Sequence, residues 1–328
     1  MRFAVETWAP DYGAPIDADA LGPSDAEVDV TVETPAADWA PVRPAQPPAA
    51  TVAFVDGVQR IDARVWVDGN GDGTGTRGGV CASWAAGVVR CDDRATVVAA
   101  DVERGLLCGG DGPPLPVIPT RHGPYHPHAV PPVAGGDAVS QALGRVRGDL
   151  EGRVAVRAAG ERDLLVVDGP LGDRRTIAGA VGYVKAHHVA YLDAGLQRVV
   201  GDLAVGERTP LFTVGDRRFR YSWYVRLPGP ASHAWWGVVR CEVSGDLAPA
   251  DAAAVADRVA ATLPRFASQP HNDPRAPQNL HPIAGLEREL KRRLGDPVLL
   301  ERALRAAAGR FGGAYAGYPA YAPPNRST

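Results

Sequence analysis

Two apolar runs closed by Asp-Gly constrain this chain more than any other feature: Thr51–Gly57 (TVAFVDG) and Asp163–Gly169 (DLLVVDG). Four or five β-branched or aliphatic residues in succession read as a buried strand, and the acid at the end of each is held at the rim of a sheet. Asp56 and Asp168 can then meet around one cation. Hard divalent ions take oxygen ligands, and paired aspartates on neighbouring strands suit the cleavage of phosphodiesters. Asp-Gly is also a common tight turn after a strand, and each pair taken alone is better read as only a turn.

The 328 residues are enough for one large domain or two ordinary ones, each with a full core. With 35 basic and 38 acidic residues the net charge is −3, which excludes a global field that gathers nucleic acid; a polyanion has to be met locally. Only Lys185 and Lys291 among the basic residues are lysines, which draws attention to both. Cys81, Cys91, Cys108 and Cys241 match no zinc spacing and read as buried thiols of a reducing cytosol. No stretch has the character of a signal peptide or a membrane span, so the expectation is a soluble, cytoplasmic protein with no membrane partner.

Along the chain, residues 1–50 read as a strand-bearing arm with a Pro-rich connection, its strand placed at Val28–Glu33. Strands separated by Gly/Asp loops follow at Ile61–Val67, Val80–Val89 and Ala95–Val102, and read as an antiparallel meander. The loop Asp68–Gly73 places oxygens at alternate positions like the first half of a calcium loop. Gly79 stands where the bidentate acid belongs, so a plain hairpin loop is the better reading. His122, His126 and His128 lie among prolines and read as surface histidines. From Asp137 to Ala159, Val139, Leu143, Val146, Leu150 and Val154 recur at helical spacing, with Glu151 on the edge of the stripe. Beyond Asp168, strands are expected at Ala178–Val184, Leu211–Val214, Phe219–Leu227 and Trp235–Val243, and helices at Pro249–Leu263 and Ile283–Leu294. Residues 312–328 are low in complexity and read as a disordered tail.

The order of these features resembles the NurA nuclease family over roughly residues 50–295. The likeness lies in Phe54-Val55-Asp56-Gly57, a meander, a helix carrying Glu151, Val167-Asp168-Gly169, Lys185 after the next strand, and a Pro-containing run from Asp273 into His281 before a helix. The resemblance implies an α/β fold over residues 51–311: an RNase H-like mixed sheet flanked by helices, with β-meander insertions. It implies a metal-dependent DNA nuclease in which Asp56, Glu151, Asp168 and His281 surround Mn2+ (or Mg2+), while Lys185 steadies a phosphate or the leaving oxygen. It also implies a HerA-type hexameric ATPase as partner and a homodimer. Such a motor can deliver DNA to an acidic protein, with Arg174, Arg175, Arg217, Arg218 and Arg220 as local phosphate contacts.

Two positions depart from the family pattern. Val58 follows Gly57 where a serine is usual, and Asp273 replaces the tyrosine that often opens the last motif. These departures support an alternative, a catalytically weakened binding subunit with a structural role beside the ATPase. Glu103, in a strand-like segment, is a rival for the glutamate position. A different metal-dependent phosphoesterase is a third reading.

Overall fold

A computed structural model describes residues 22–68, 76–109, 114–131, 138–158, 160, 162–172, 177–215, 219–229 and 233–311. In chain order the elements are β1 (Gly22–Pro23), β2 (Val28–Asp29), β3 (Val52–Asp68), β4 (Thr76–Cys91), β5 (Ala95–Gly109), β6 (His126–Val130), α1 (Ala138–Arg157), β7 (Leu164–Asp168), β8 (Ala180–Val184), β9 (Val189–Ala190), α2 (Ala194–Asp202), β10 (Phe212–Val214), β11 (Arg220–Arg226), β12 (Val238–Ser244), α3 (Pro249–Thr262), α4 (His281–Arg293) and α5 (Pro297–Phe311). Ten strands form one mixed sheet in the order β2-β10-β11-β12-β8-β7-β3-β4-β5-β6, and β1 pairs with β9 apart from it. The sheet is flanked by helices. The low-complexity tail at 312–328, the Gly-rich residues 69–75 and the first 21 residues lie outside the described residues.

The chain divides into two compact units. One comprises Met1–Gly57, Ala86–Asp101 and Gly148–Leu290; the other comprises Val58–Ala85, Val102–Arg147 and Lys291–Thr328. In the first unit β7 is parallel to both β3 and β8, and β12, β11, β10 and β2 continue in antiparallel sequence. Strands flanked on both sides have to be apolar on both faces. Val52–Val55 and Leu164–Val167 are accordingly all buried. Trp39, Val200, Leu203, Phe212, Tyr224 and Val238 form a core over the antiparallel half. On the parallel half Phe54 meets Phe266 edge-on at 5.0 Å, and α4 sets Leu286 and Leu290 against Gly87 of β4.

The second unit pairs β5 with β6 in parallel and builds its core from Cys81, Leu106, Tyr125 and Leu304. Buried Asp62 accepts hydrogen bonds from Arg60 Nε at 2.9 Å, Tyr125 Oη at 2.9 Å and Ser83 Oγ. Removing one carboxylate there would strand three donors, so this group reads as structural.

Several elements differ from the sequence reading. The first Asp-Gly is no turn: β3 runs through it for 17 residues, because the apolar run continues into Val58, which is buried. Val58 is therefore a packing residue. The arm strand is only Val28–Asp29, since Asp29 Oδ1 accepts from both the backbone N (2.8 Å) and the hydroxyl (2.7 Å) of Thr31 and turns the chain. The His/Pro-rich segment contains a strand, β6, and the helices α2 and α5 are additional to those expected. Asp193 caps α2 by accepting from Leu196 N at 2.9 Å.

Candidate active site

The register of the parallel strands builds the site. β3 and β7 pair residue for residue from Val52 with Leu164 to Val55 with Val167. One step further along the same register stand Asp56 and Asp168, at the C-terminal ends of the paired apolar runs and on the same face of the sheet. On the other side of β7, Asp168 pairs with Tyr183 of β8, and Lys185 follows two residues later on that face. The outer rim of parallel strands at their carboxyl ends is where α/β sheets place ligands.

Asp56 is buried, at 7% exposure, and Asp168 and Lys185 side chains are each 14% exposed. Lys185 Nζ donates to Asp168 Oδ2 at 2.6 Å and to Asn279 Oδ1 at 3.0 Å. Burial, followed by the negative charge of Asp168, pushes the Asp56 carboxyl well above the usual carboxylate range. Glu287 and Glu151 act in the same direction, while the Lys185 ammonium opposes them. Each of these groups is thus close enough to Asp56 to alter its charge state. The strand register and the Lys185 hydrogen bond bring Asp56, Asp168 and Lys185 together, while Glu151 acts on Asp56 through its charge.

Glu151 is 2% exposed. The sequence placed it on the edge of the α1 stripe, whereas the buried face runs through Ala142, Leu143, Leu150, Glu151, Val154 and Ala155 and includes it. A carboxylate in the middle of an apolar face is costly unless something compensates its charge. Its rival Glu103 accepts from the Trp84 indole at 3.2 Å in β5. His281 opens α4 and is exposed, and its imidazole takes no part in the hydrogen-bonded network around Lys185.

Residues that sequence reasoning missed complete that network. Asn279 Nδ2 donates to Asp273 Oδ2 at 2.8 Å, and Arg275 pairs with Glu287. Tyr183 Oη donates to the Gln278 carbonyl at 2.6 Å, which ties the segment before α4 to β8. Neither Glu287 nor Asn279 carries a signal in the sequence: the first is one acid in a charged helix, and the second lies inside a Pro-rich run. On the opposite face of the sheet, Glu242 is buried and pairs with Arg220 and Arg240, both at 2.8 Å, and accepts from Leu171 N at 2.5 Å. Of the arginines expected to meet phosphates, Arg220 is thus engaged by Glu242; Arg174, Arg175, Arg217 and Arg218 lie outside the described residues.

In kind, the donors around Asp56 fit a hard divalent cation: they are carboxylates, and their mutual repulsion is what a cation relieves. In position they do not close around one. Among the described residues no three His, Cys, Asp or Glu side chains form a group that can hold an ion, and the Lys185 ammonium occupies one oxygen of Asp168. Of the histidines among prolines, His122 Nε2 accepts from Arg121 at 3.0 Å, and His128 packs edge-on against Trp84. No helix among the described residues is long and apolar enough to cross a membrane.

The chain is similar to the crystal structure of the NurA nuclease from Sulfolobus solfataricus, with a TM-score of 0.51 over 84% of this chain and 89% of that one. The two share 10% sequence identity, so the likeness is one of fold. No family model matches the chain, and no curated protein matches it.

Proposed function

We propose that this protein is a metal-dependent DNA nuclease of RNase H-like fold that works with a HerA-type DNA-translocating ATPase. The observation that carries the reading is the placing of Asp56 and Asp168 at one level of two adjacent parallel strands, with Lys185 bonded to the second. The fold likeness to a nuclease supports it. Asp56, Asp168 and Glu151 would hold Mn2+ or Mg2+, and the resemblance assigns His281 as a further ligand or a proton carrier. Bound there, the cation supplies Lewis-acid polarisation of a phosphate oxygen and lowers the pKa of water. Lys185 donates to a phosphate oxygen or to the leaving oxygen as charge develops on it. Buried Glu151 adds negative charge beside Asp56 and so strengthens the attraction for a cation. A homodimer on a hexameric motor, with DNA delivered to the site by the motor, completes the proposal.

The test is DNA cleavage in Mn2+ by the wild type, Asp56→Asn and Asp168→Asn, with and without the ATPase. Each substitution is expected to lower the rate by on the order of 100-fold or more, the equivalent of losing several kcal/mol of charge stabilisation. Val58 and Asp273, where the family that the chain resembles has serine and tyrosine, favour one second reading, a binding subunit of the same complex that does not cleave. Wild type that stays inactive even with the ATPase would establish that reading instead.

A further inference from the structure

We infer that Asn279 and Asp273 are positioning residues for Lys185, an inference that rests on the site proposed above and assigns its Pro-rich segment a task. Asn279 is fully buried and Asp273 is 6% exposed. The Asn279 amide joins them to the lysine: its oxygen accepts from Lys185 Nζ at 3.0 Å and its nitrogen donates to Asp273 Oδ2 at 2.8 Å. Chemistry fixes which way the amide points, since an ammonium only donates and a carboxylate only accepts. Asp273 is fixed in turn, its Oδ1 accepting from Arg275 N at 2.8 Å and its backbone N donating to the Gln269 carbonyl at 3.1 Å.

A lysine stem is flexible, and ordering it costs rotamer entropy. Asp168 alone would hold the ammonium at one point and leave it free to swing. With Asn279 as a second acceptor, two of the three N–H directions are set, and the third then has a defined aim toward a phosphate oxygen. The fold does not need this relay to hold the segment. Backbone bonds from Asn279 N to the Arg275 carbonyl (3.0 Å) and from Ala284 N to the Leu280 carbonyl (2.9 Å), with the Tyr183 hydroxyl on Gln278, already do so. A buried polar pair kept only for stability could be replaced by apolar groups of similar shape at little cost.

The chain's two lysines provide a direct test. The full-length protein is acetylated with a limiting amount of acetic anhydride, and mass spectrometry gives the reactivity of Lys185 relative to Lys291. Asn279→Leu is expected to raise that ratio about tenfold or more, the equivalent of one hydrogen bond to a charged group. Asp273→Asn keeps an acceptor for the amide and is expected to stay within about twofold of wild type. If Asn279→Leu no longer melts cooperatively, Asn279→Ala carries the same comparison without added bulk. In cleavage assays Asn279→Leu is expected to lower kcat with KM little changed, and to cost nothing further in a Lys185→Met background. An unchanged labelling ratio in a folded Asn279 variant, or fully additive losses in the double variant, would overturn the inference. The labelling ratio does not depend on cleavage, so an inactive wild type defeats the nuclease reading while the ratio still decides the role of Asn279.

Discussion

Asp56 and Asp168 stand side by side: the parallel register that pairs Val55 with Val167 sets the two carboxylates at one level of adjacent strands. Neighbouring strands are about 4.8 Å apart, so two carboxyl groups are held close in a largely buried place. Their proximity opposes ionisation of both at once, and a cation bound between them would relieve that.

One consequence is measurable without DNA. The Asp56 carboxyl is held well above its ordinary range by burial and by Asp168. The folded state therefore keeps a proton that the unfolded state releases near pH 4, and stability falls as pH rises from there through the folded value. Asp56→Asn is expected to stabilise the cation-free protein at pH 7.5 by about 1–3 kcal/mol, the ordinary cost of an under-compensated buried polar group. The advantage should vanish below pH 4. Added Mn2+ should raise the melting temperature of the wild type and leave that of the variant almost unchanged; thermal unfolding at several pH values reads both.

Gly182 holds the turn after Asp168 in place. A Cβ there would come within 2.8 Å of Leu171 N, 2.9 Å of Glu242 Cγ and 3.2 Å of the Gly169 carbonyl. Gly169, with φ of +92°, exchanges both backbone hydrogen bonds with Tyr183 at 2.8 and 3.0 Å. Gly182→Ala is expected to cost about 1–3 kcal/mol in urea unfolding, and to lower cleavage at temperatures where the variant is still folded.

His187 supplies acid sensitivity away from the carboxylates. Burial among Tyr224 and Trp235 holds its imidazole down at about 4, and Nε2 donates to the Val238 carbonyl at 3.1 Å. The unfolded chain, with a histidine value of about 6.5, binds the proton first. This contribution to stability is full above pH 6.5 and is lost as pH falls toward 4, about 3 kcal/mol in all. His187→Phe is expected to flatten that part of the stability profile relative to wild type, as followed by urea midpoints at pH 7, 5.5 and 4.5.

Arg226 organises the end of α2. Its guanidinium donates to the carbonyls of Leu203 (2.9 Å), Val200 (3.1 Å), Gly201 (3.0 Å), Ala234 (2.6 Å) and Trp236. Arg226→Lys keeps the charge and loses the fork, leaving carbonyls without a donor. A loss of about 3 kcal/mol or more in urea unfolding is expected.

Legibility in the sequence followed the range of the interaction. β7 and the first half of β3 were readable because burial on both faces removes all polar alternation from a strand. Lys185 stood out because arginine fills nearly every other basic position, and the helix of Glu151 because its apolar residues recur at helical steps. That β3 continues through Gly57 depends on where Val58 is buried, a tertiary fact with no local signal. Asn279 was hidden beside His281, a residue type that attracts attention as a ligand, and only the folded segment shows the amide pointing inward. Asp273 was visible in the Pro-containing run before α4, but its role depends on Asn279 six residues away. Glu287 and Arg275 belong to different segments, and nothing in either one announces their pairing.

The most direct measurement of the central claim is anomalous diffraction from crystals of the full-length protein equilibrated with Mn2+. An anomalous peak is expected at coordination distance, about 2.0–2.2 Å, from carboxylate oxygens of both Asp56 and Asp168. A saturated crystal with no peak between those two residues would contradict the claim.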